Sequence, residues 1–312
     1  MTKRYYSFGE YLKEIFSKKV YKVNVDAGFT CPNRDGTLGY GGCIYCNNSS
    51  FRPPSCAPEI SLTEQISRGI EHVKKKYKAK AFLVYFQPYT NTYASVEKLE
   101  RLYREALSFP EVIGLAIGTR PDCVDEEKLD LLKELSKTHL IIIEYGLQSI
   151  YDKSLKFIRR GHDYQRFLKA VYDTYEKGIL VGAHIIVGLP TETKEESLKM
   201  ADEINCHPIK FLKIHQLQIV KDTPLAGIYE KEPFKVFDYE EYLDFIVDFL
   251  ERIRPDIVIQ RLFATSPDEI LIAPRWNRTK QQILNDIEKK LEERNARQGS
   301  KCTSVRNRAL LG

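Results

Sequence analysis

Six times along this chain a short apolar run is followed by a stretch whose apolar residues return every three or four positions. The runs are YKVNV, AFLVYF, VIGLAI, LIIIEYG, LVGAHIIVG and FLKIHQLQIV. Between them lie SLTEQISRGIEHVKKKY, VEKLERLYREALSF, EEKLDLLKELS, YQRFLKAVYDTYEKG and KEESLKMADEI. Short, nearly continuous apolar runs separated by amphipathic helices require a parallel sheet covered by helices. Ser61 and Glu64 stand at capping-box spacing, which marks where the first of these helices begins. Six units fall short of the eight that close a full barrel. The expected architecture is therefore α/β, an open partial (β/α)6 barrel of TIM type, with a doubly wound sheet as the alternative.

From about Phe234 the pattern changes to one amphipathic helix (YEEYLDFIVDFLERI), a short strand (DIVIQRL), a polar helix and a basic tail. The expected organisation is a partial barrel with an N-terminal helix over 1–232 and a small C-terminal α/β appendage over 233–312. A chain of 312 residues, 43% of them hydrophobic, is large enough to bury such a core. No stretch offers about 18 uncharged apolar residues and the N-terminus is studded with charges, so a cytoplasmic protein without a membrane partner is expected. The net charge of +5 permits an anionic partner without requiring one.

Chemistry concentrates in the loop CPNRDGTLGYGGCIYC, where Cys31, Cys43 and Cys46 fall within sixteen residues. In a reducing compartment such a cluster is expected to bind metal or catalyse rather than form disulfides. Three thiolates suit zinc or an iron–sulfur cluster. Structural zinc asks for a closed fourth ligand, and neither a fourth cysteine at ligand spacing nor a nearby histidine accompanies the loop. An incomplete protein set suits a cubane whose fourth iron is open to a small molecule. Cys56, Cys123, Cys206 and Cys302 are too dispersed for a second cluster and read as ordinary thiols.

The Cys-rich loop, together with TRPD (119–122), EYGLQS (144–149), RRGHD (159–163) and GAHIIVGLPTET (182–193) in that order, resembles the radical S-adenosylmethionine (SAM) superfamily. Within it, the long spacer between Cys31 and Cys43 resembles the branch of the Elongator catalytic subunit and its YhcC/YtqA-type bacterial relatives. The resemblance implies a [4Fe-4S] cluster on Cys31, Cys43 and Cys46, with SAM on the open iron and a 5'-deoxyadenosyl radical as the working species. It also implies a reductant such as flavodoxin or ferredoxin.

By position in the motifs, Tyr45 would lie against the adenine, Gln148 and Arg160 would meet the SAM ribose and carboxylate, and His184 would meet the ribose. Gly188 and Leu189 would follow the adenine through their backbone. The glycine-rich motif expected after the second strand is replaced by FQPYTNTY, so Gln87, Thr90 and Asn91 are the candidates to receive the SAM amino group. The acidic position before TRPD is Gly118, and Glu144 is the candidate to compensate.

For the substrate, the resemblance implies tRNA: conversion of a wobble 5-carboxymethylaminomethyl uridine to the 5-aminomethyl form, with the anticodon loop splayed into the barrel mouth. Tyr89, Tyr93 and the APRWNR segment would stack on bases, and Lys213 and His215 would reach the modification. Arg294, Arg297, Lys301, Arg306 and Arg308 would hold phosphates. The 312 residues end without the acetyltransferase domain of the Elongator subunit, so an acetyl-CoA-dependent reaction is not expected. Plainer readings stand beside these: His184 and His215 as satisfied core histidines, Glu144 as a strand-end ion pair, and Trp276 as a packing anchor. Two other functions are also open, a radical SAM enzyme acting on a small metabolite and a non-catalytic Cys-rich metal-binding interaction protein.

Overall fold

The computed structural model describes residues 3–48, 56 and 59–302. Seven parallel strands form one curled sheet in the order β1 (Val20–Val25), β2 (Ala81–Phe86), β3 (Val112–Thr119), β4 (Leu140–Gln148), β5 (Leu180–Val187), β6 (Phe211–Gln216) and β8 (Val258–Arg261). Helices α2 (Leu62–Tyr77), α3 (Val96–Leu107), α4 (Glu126–Ser136), α6 (Tyr164–Glu176) and α7 (Lys194–Asn205) follow the first five strands, with the short α5 (Asp152–Phe157) ahead of α6. The predicted partial barrel is present, and a seventh strand from the segment assigned to the appendage extends it.

Alternation along the strands sorts residues to two faces. Val23, Val25, Val84, Phe86, Ile141, Ile143, Ile185 and Ile214 face outward into one core with the helices. On the inner face, Leu83, Ala116, Ile142, Phe211 and Val258 form an apolar floor with Tyr11 and Leu12 of α1 (Phe8–Phe16). Helix α1 is thus a plug: the Tyr11 and Phe8 rings meet Phe211 edge-on at 5.0 and 5.5 Å. Ser7 and Glu10 cap it reciprocally. Ser7 also bridges to Ile259 of β8, so the plug ties down the last strand.

The run FLKIHQLQIV does not continue as one strand. It leaves the sheet after Gln216, and β7 (Ile219–Val220) pairs antiparallel with β9 (Leu271–Ala273) in a separate two-stranded ribbon. Three further helices, α8 (Pro224–Lys231), α9 (Tyr239–Arg252) and α10 (Lys280–Glu293), follow among the described residues. Trp276 packs on Tyr242 of α9 at 4.9 Å between ring centres and donates Nε1–H to the Phe237 carbonyl (3.0 Å), so it is an anchor. Arg294 bonds Asp248 and Glu251 of α9, and Lys301 also pairs with Glu251. These two cations pair with α9 and hold the C-terminal helix against it; Arg306 and Arg308 lie outside the described residues. Among the described residues no helix is long and apolar enough to cross a membrane.

Candidate active site

A cavity of about 230 Å³ opens at the C-terminal ends of the strands, where a parallel barrel gathers its functional side chains. Cys31, Cys43, Tyr45 and Cys46 line one rim. Gln87, Thr90, Glu144, Gln148, Arg160, His184, Lys213 and His215 line the walls and base. Period-two alternation explains the set. Glu144, Gly146 and Gln148 of β4 face inward with His184 and Ile186 of β5 and Lys213 and His215 of β6. The polar residues of YKVNV obey the same rule, since Lys22 and Asn24 reach inward to Glu144 and Gln87.

The cysteine loop is held by two neighbouring segments and by a contact of its own. Asn33 Nδ2 donates to the Arg159 carbonyl (2.7 Å) and the Ile44 amide to the Ile158 carbonyl (3.1 Å), which docks the loop on the segment after α5. Leu225 of α8 donates its amide to the Ile44 carbonyl. Arg34 donates to the Cys46 carbonyl (2.6 Å) across Gly42, whose φ of +87° leaves no room for a side chain beside that guanidinium.

TRPD is a brace that sequence reading did not foresee. Arg120, fully buried, forks onto Asp122 at 2.9 and 2.8 Å and donates to the Arg160 carbonyl at 2.8 Å. That fixes Arg160, whose own guanidinium bonds the Gly146 carbonyl (2.7 Å) and reaches the Cys43 sulfur (3.6 Å). Burial works against the Arg160 charge, but Cys43 and Tyr45 outweigh it and hold its pKa above the usual guanidinium value. Next to it, Gln148 takes a left-handed φ of +73° at a bulge between β4 and β5, a strained turn that aims its side chain into the cavity.

The three thiols fit an iron–sulfur cluster. No three His, Cys, Asp or Glu side chains among the described residues gather around a single metal ion. A cubane asks something different, because each thiolate binds its own iron. The Cys43 sulfur also accepts from Asn33 Nδ2 at 3.5 Å as well as from Arg160, the kind of N–H···S contact that tunes such a centre.

At the base of the cavity Lys213 Nζ bonds Glu144 Oε2 and the Tyr85 hydroxyl (2.8 Å). Glu144, 1% exposed, also accepts from Lys22 at 3.4 Å and stands 3.0 Å from His184 Nε2. Burial opposes the Glu144 charge, but Lys213 and Lys22 override it and hold the carboxyl well below its usual range. Burial drives the Lys213 ammonium down. Burial, then the Lys213 charge, lowers His184 to about 4. Above the unfolded value of about 6.5 His184 is neutral in both states, whereas between about 6.5 and 4 only the unfolded chain binds its proton. Stability is therefore lost as pH falls through that window. Unfolding free energies measured from pH 7 to 4.5 should fall roughly 2–3 kcal/mol further in the wild type than in His184→Gln; parallel curves would refute the assignment.

Three predicted site residues are not in the cavity wall. Asn91 is fully buried and its amide staples the Phe86, Pro88 and Gly118 carbonyls, joining the ends of β2 and β3. Gly188 and Leu189 line a separate hollow against Phe234 and Phe237, and the Gly188 Cα hydrogens face the Phe237 ring. Tyr89 lines the cavity, but Tyr93 turns away to the Thr37 hydroxyl (2.8 Å). Sequence reading also missed Arg261, from the seventh strand, and the Ala264–Thr265–Ser266 wall.

A parallel partial barrel with three thiols at the mouth and an arginine against one sulfur defines the class of radical SAM enzymes. The Radical SAM superfamily model matches residues 31–204 and its C-terminal domain model 209–293. The chain belongs to the radical SAM superfamily, with [4Fe-4S] and SAM as its cofactors. It is 40% identical to an uncharacterized protein, MJ0486, of Methanocaldococcus jannaschii (94% of this chain, 91% of that one). It is 34% identical to YtqA of Bacillus subtilis, over 95% and 92%. A more distant relative is a tRNA uridine(34) acetyltransferase of Methanocaldococcus infernus, 27% identical over 64% of this chain and 36% of that one. Among solved structures, Elp3 from Methanocaldococcus infernus superposes with a TM-score of 0.70 at 19% identity, covering 89% of this chain and 64% of the other. The reading as a non-catalytic metal-binding protein gives way to an enzyme.

Proposed function

We propose that this enzyme modifies a wobble uridine of tRNA, converting the 5-carboxymethylaminomethyl group to 5-aminomethyl; the two-carbon acid would leave as glyoxylate, with SAM taking up the two electrons and water hydrolysing the imine. The observation that carries the reading is the shared cavity: three thiols at the rim, the Tyr89 ring beside them and a hydrogen-bonded Lys213–Glu144 pair below. A base splayed from the anticodon loop has an aromatic face to stack on and polar groups beneath it to meet its substituent. Similarity to a tRNA uridine(34) acetyltransferase supports the substrate class. When bound, the cluster and SAM supply a hydrogen-abstracting 5'-deoxyadenosyl radical. The chain's own part is to position the base with Tyr89 and to face its substituent with Lys213 and His215, where neutral imidazole serves as acceptor.

Nucleoside mass spectrometry of tRNA from a strain lacking the gene should show accumulated 5-carboxymethylaminomethyl uridine. An unchanged wobble profile, with 5'-deoxyadenosine formation indifferent to added tRNA, would favour a small-metabolite substrate.

A further inference from the structure

Four arginines line the cavity, and three are already engaged. Arg34 holds the Cys46 carbonyl, Arg120 holds Asp122, and Arg160 holds the Gly146 carbonyl beside Cys43. Arg261 differs. Among the described residues its hydrogen-bond partner is His215 Nε2 at 3.4 Å, and no carboxylate pairs with it. Its placement needs a register shift between β6 and β8, after which Arg261 stands opposite Lys213 while Gln260 reaches Lys22. A shift of this kind re-aims side chains next to active sites.

Basic side chains outnumber acidic ones here. Lys22, Lys213 and Arg261 face one another around a single carboxylate, Glu144, while His184 and His215 are held neutral. Arg261 presses on Lys22, Lys213, His184 and His215, whereas Arg160 acts on Cys43, Tyr45 and Asp122. The two guanidiniums thus serve separate ends of the cavity. The loop beyond Arg261 is set rather than loose: Gln216 exchanges two hydrogen bonds with Ala264 (3.0 and 2.8 Å), and Ser266 bonds Gln218 (2.8 Å).

We propose that Arg261, with His215 and Lys213, forms a carboxylate-binding subsite that grips the acidic end of the substrate. The subsite stands on the β6–β8 wall, apart from the cysteine rim. It deepens the tRNA reading by naming the group that selects a carboxymethyl-bearing uridine, and to that extent rests on it. A planar guanidinium holds a carboxylate through two parallel hydrogen bonds, which an ammonium does not reproduce.

The test uses the cluster-loaded protein and sodium acetate as probe, followed by the imidazole NMR signals of His215. Acetate should shift those signals saturably in the wild type. Arg261→Gln should weaken the effect at least tenfold and Arg261→Lys by an intermediate amount. Acetamide should produce no shift. Equal responses in wild type and Arg261→Gln, or tighter binding of inorganic phosphate than of acetate, would overturn the subsite. SAM carries a carboxylate too, so its affinity is titrated separately. A tenfold loss of SAM binding in Arg261→Gln, with acetate competing against SAM, would transfer the site to SAM and overturn the substrate assignment. Because acetate binding does not involve tRNA, an unaltered wobble profile in the deletion strain would leave the subsite standing, while loss of the acetate effect would leave the tRNA reading standing.

Discussion

Cys43→Ala is expected to lose bound iron and to form 5'-deoxyadenosine only at background. Cys43 is the most enclosed of the three thiols, at 5% exposure, and its sulfur is the one that Asn33 and Arg160 address. Removing it leaves an iron without a protein ligand and a buried guanidinium facing a void. Burial first, and then Cys43, raise the Cys46 thiol above its usual pKa, so ionisation there depends on the charge of the bound iron. The loss should therefore be cooperative across the loop rather than one ligand in three. Cys206→Ala is the control: that thiol is exposed at the C-cap of α7 and should leave iron content unchanged. Iron analysis and anaerobic absorbance decide the matter. Full cluster occupancy in Cys43→Ala would remove the loop from metal binding.

What was legible in the sequence follows from what each signal depends on. Strand and helix periods are local, so the parallel barrel and the order of its elements were readable from residues 20–220. The cysteine loop was readable because its three cysteines share one short segment. Glu144, His184, Lys213 and His215 were found through their places at strand ends, and the cavity gathers all four. Arg261 was not found, because its pairing with β6 crosses more than forty residues and a register shift, neither of which leaves a trace in local pattern. Asn91 and Gly188 lie outside the cavity wall, which local pattern does not reveal for a related reason. A buried polar side chain and a glycine each satisfy a backbone need as well as a ligand need, and only the surrounding carbonyls and the Phe237 ring distinguish the two. Lys22 and Asn24 interrupt the first run, and nothing local tells that their side faces the interior of a barrel rather than water.

Glu144→Ala is expected to destabilise the fold by about 3–5 kcal/mol, since it leaves buried charges uncompensated. Lys213 is 4% exposed and Lys22 and Arg261 are close by, so the substitution removes the carboxylate that both lysines pair with. Glu144→Gln should cost less, because the amide oxygen still accepts from Lys213. Adding Lys213→Met to Glu144→Gln separates the two roles of the pair. If Glu144 serves chiefly to neutralise the lysines, the double variant should regain most of the lost unfolding free energy, as replacing both members of a buried pair by groups of similar shape can be nearly neutral. Denaturant titrations of wild type, Glu144→Gln, Lys213→Met and the double variant supply the cycle. A double variant no more stable than Glu144→Gln would mean that Lys213 was not the charge left stranded, and would shift the role to Lys22. Turnover then reports independently: a double variant restored in stability and iron content yet inactive on substrate places the pair in the chemistry as well as in the fold.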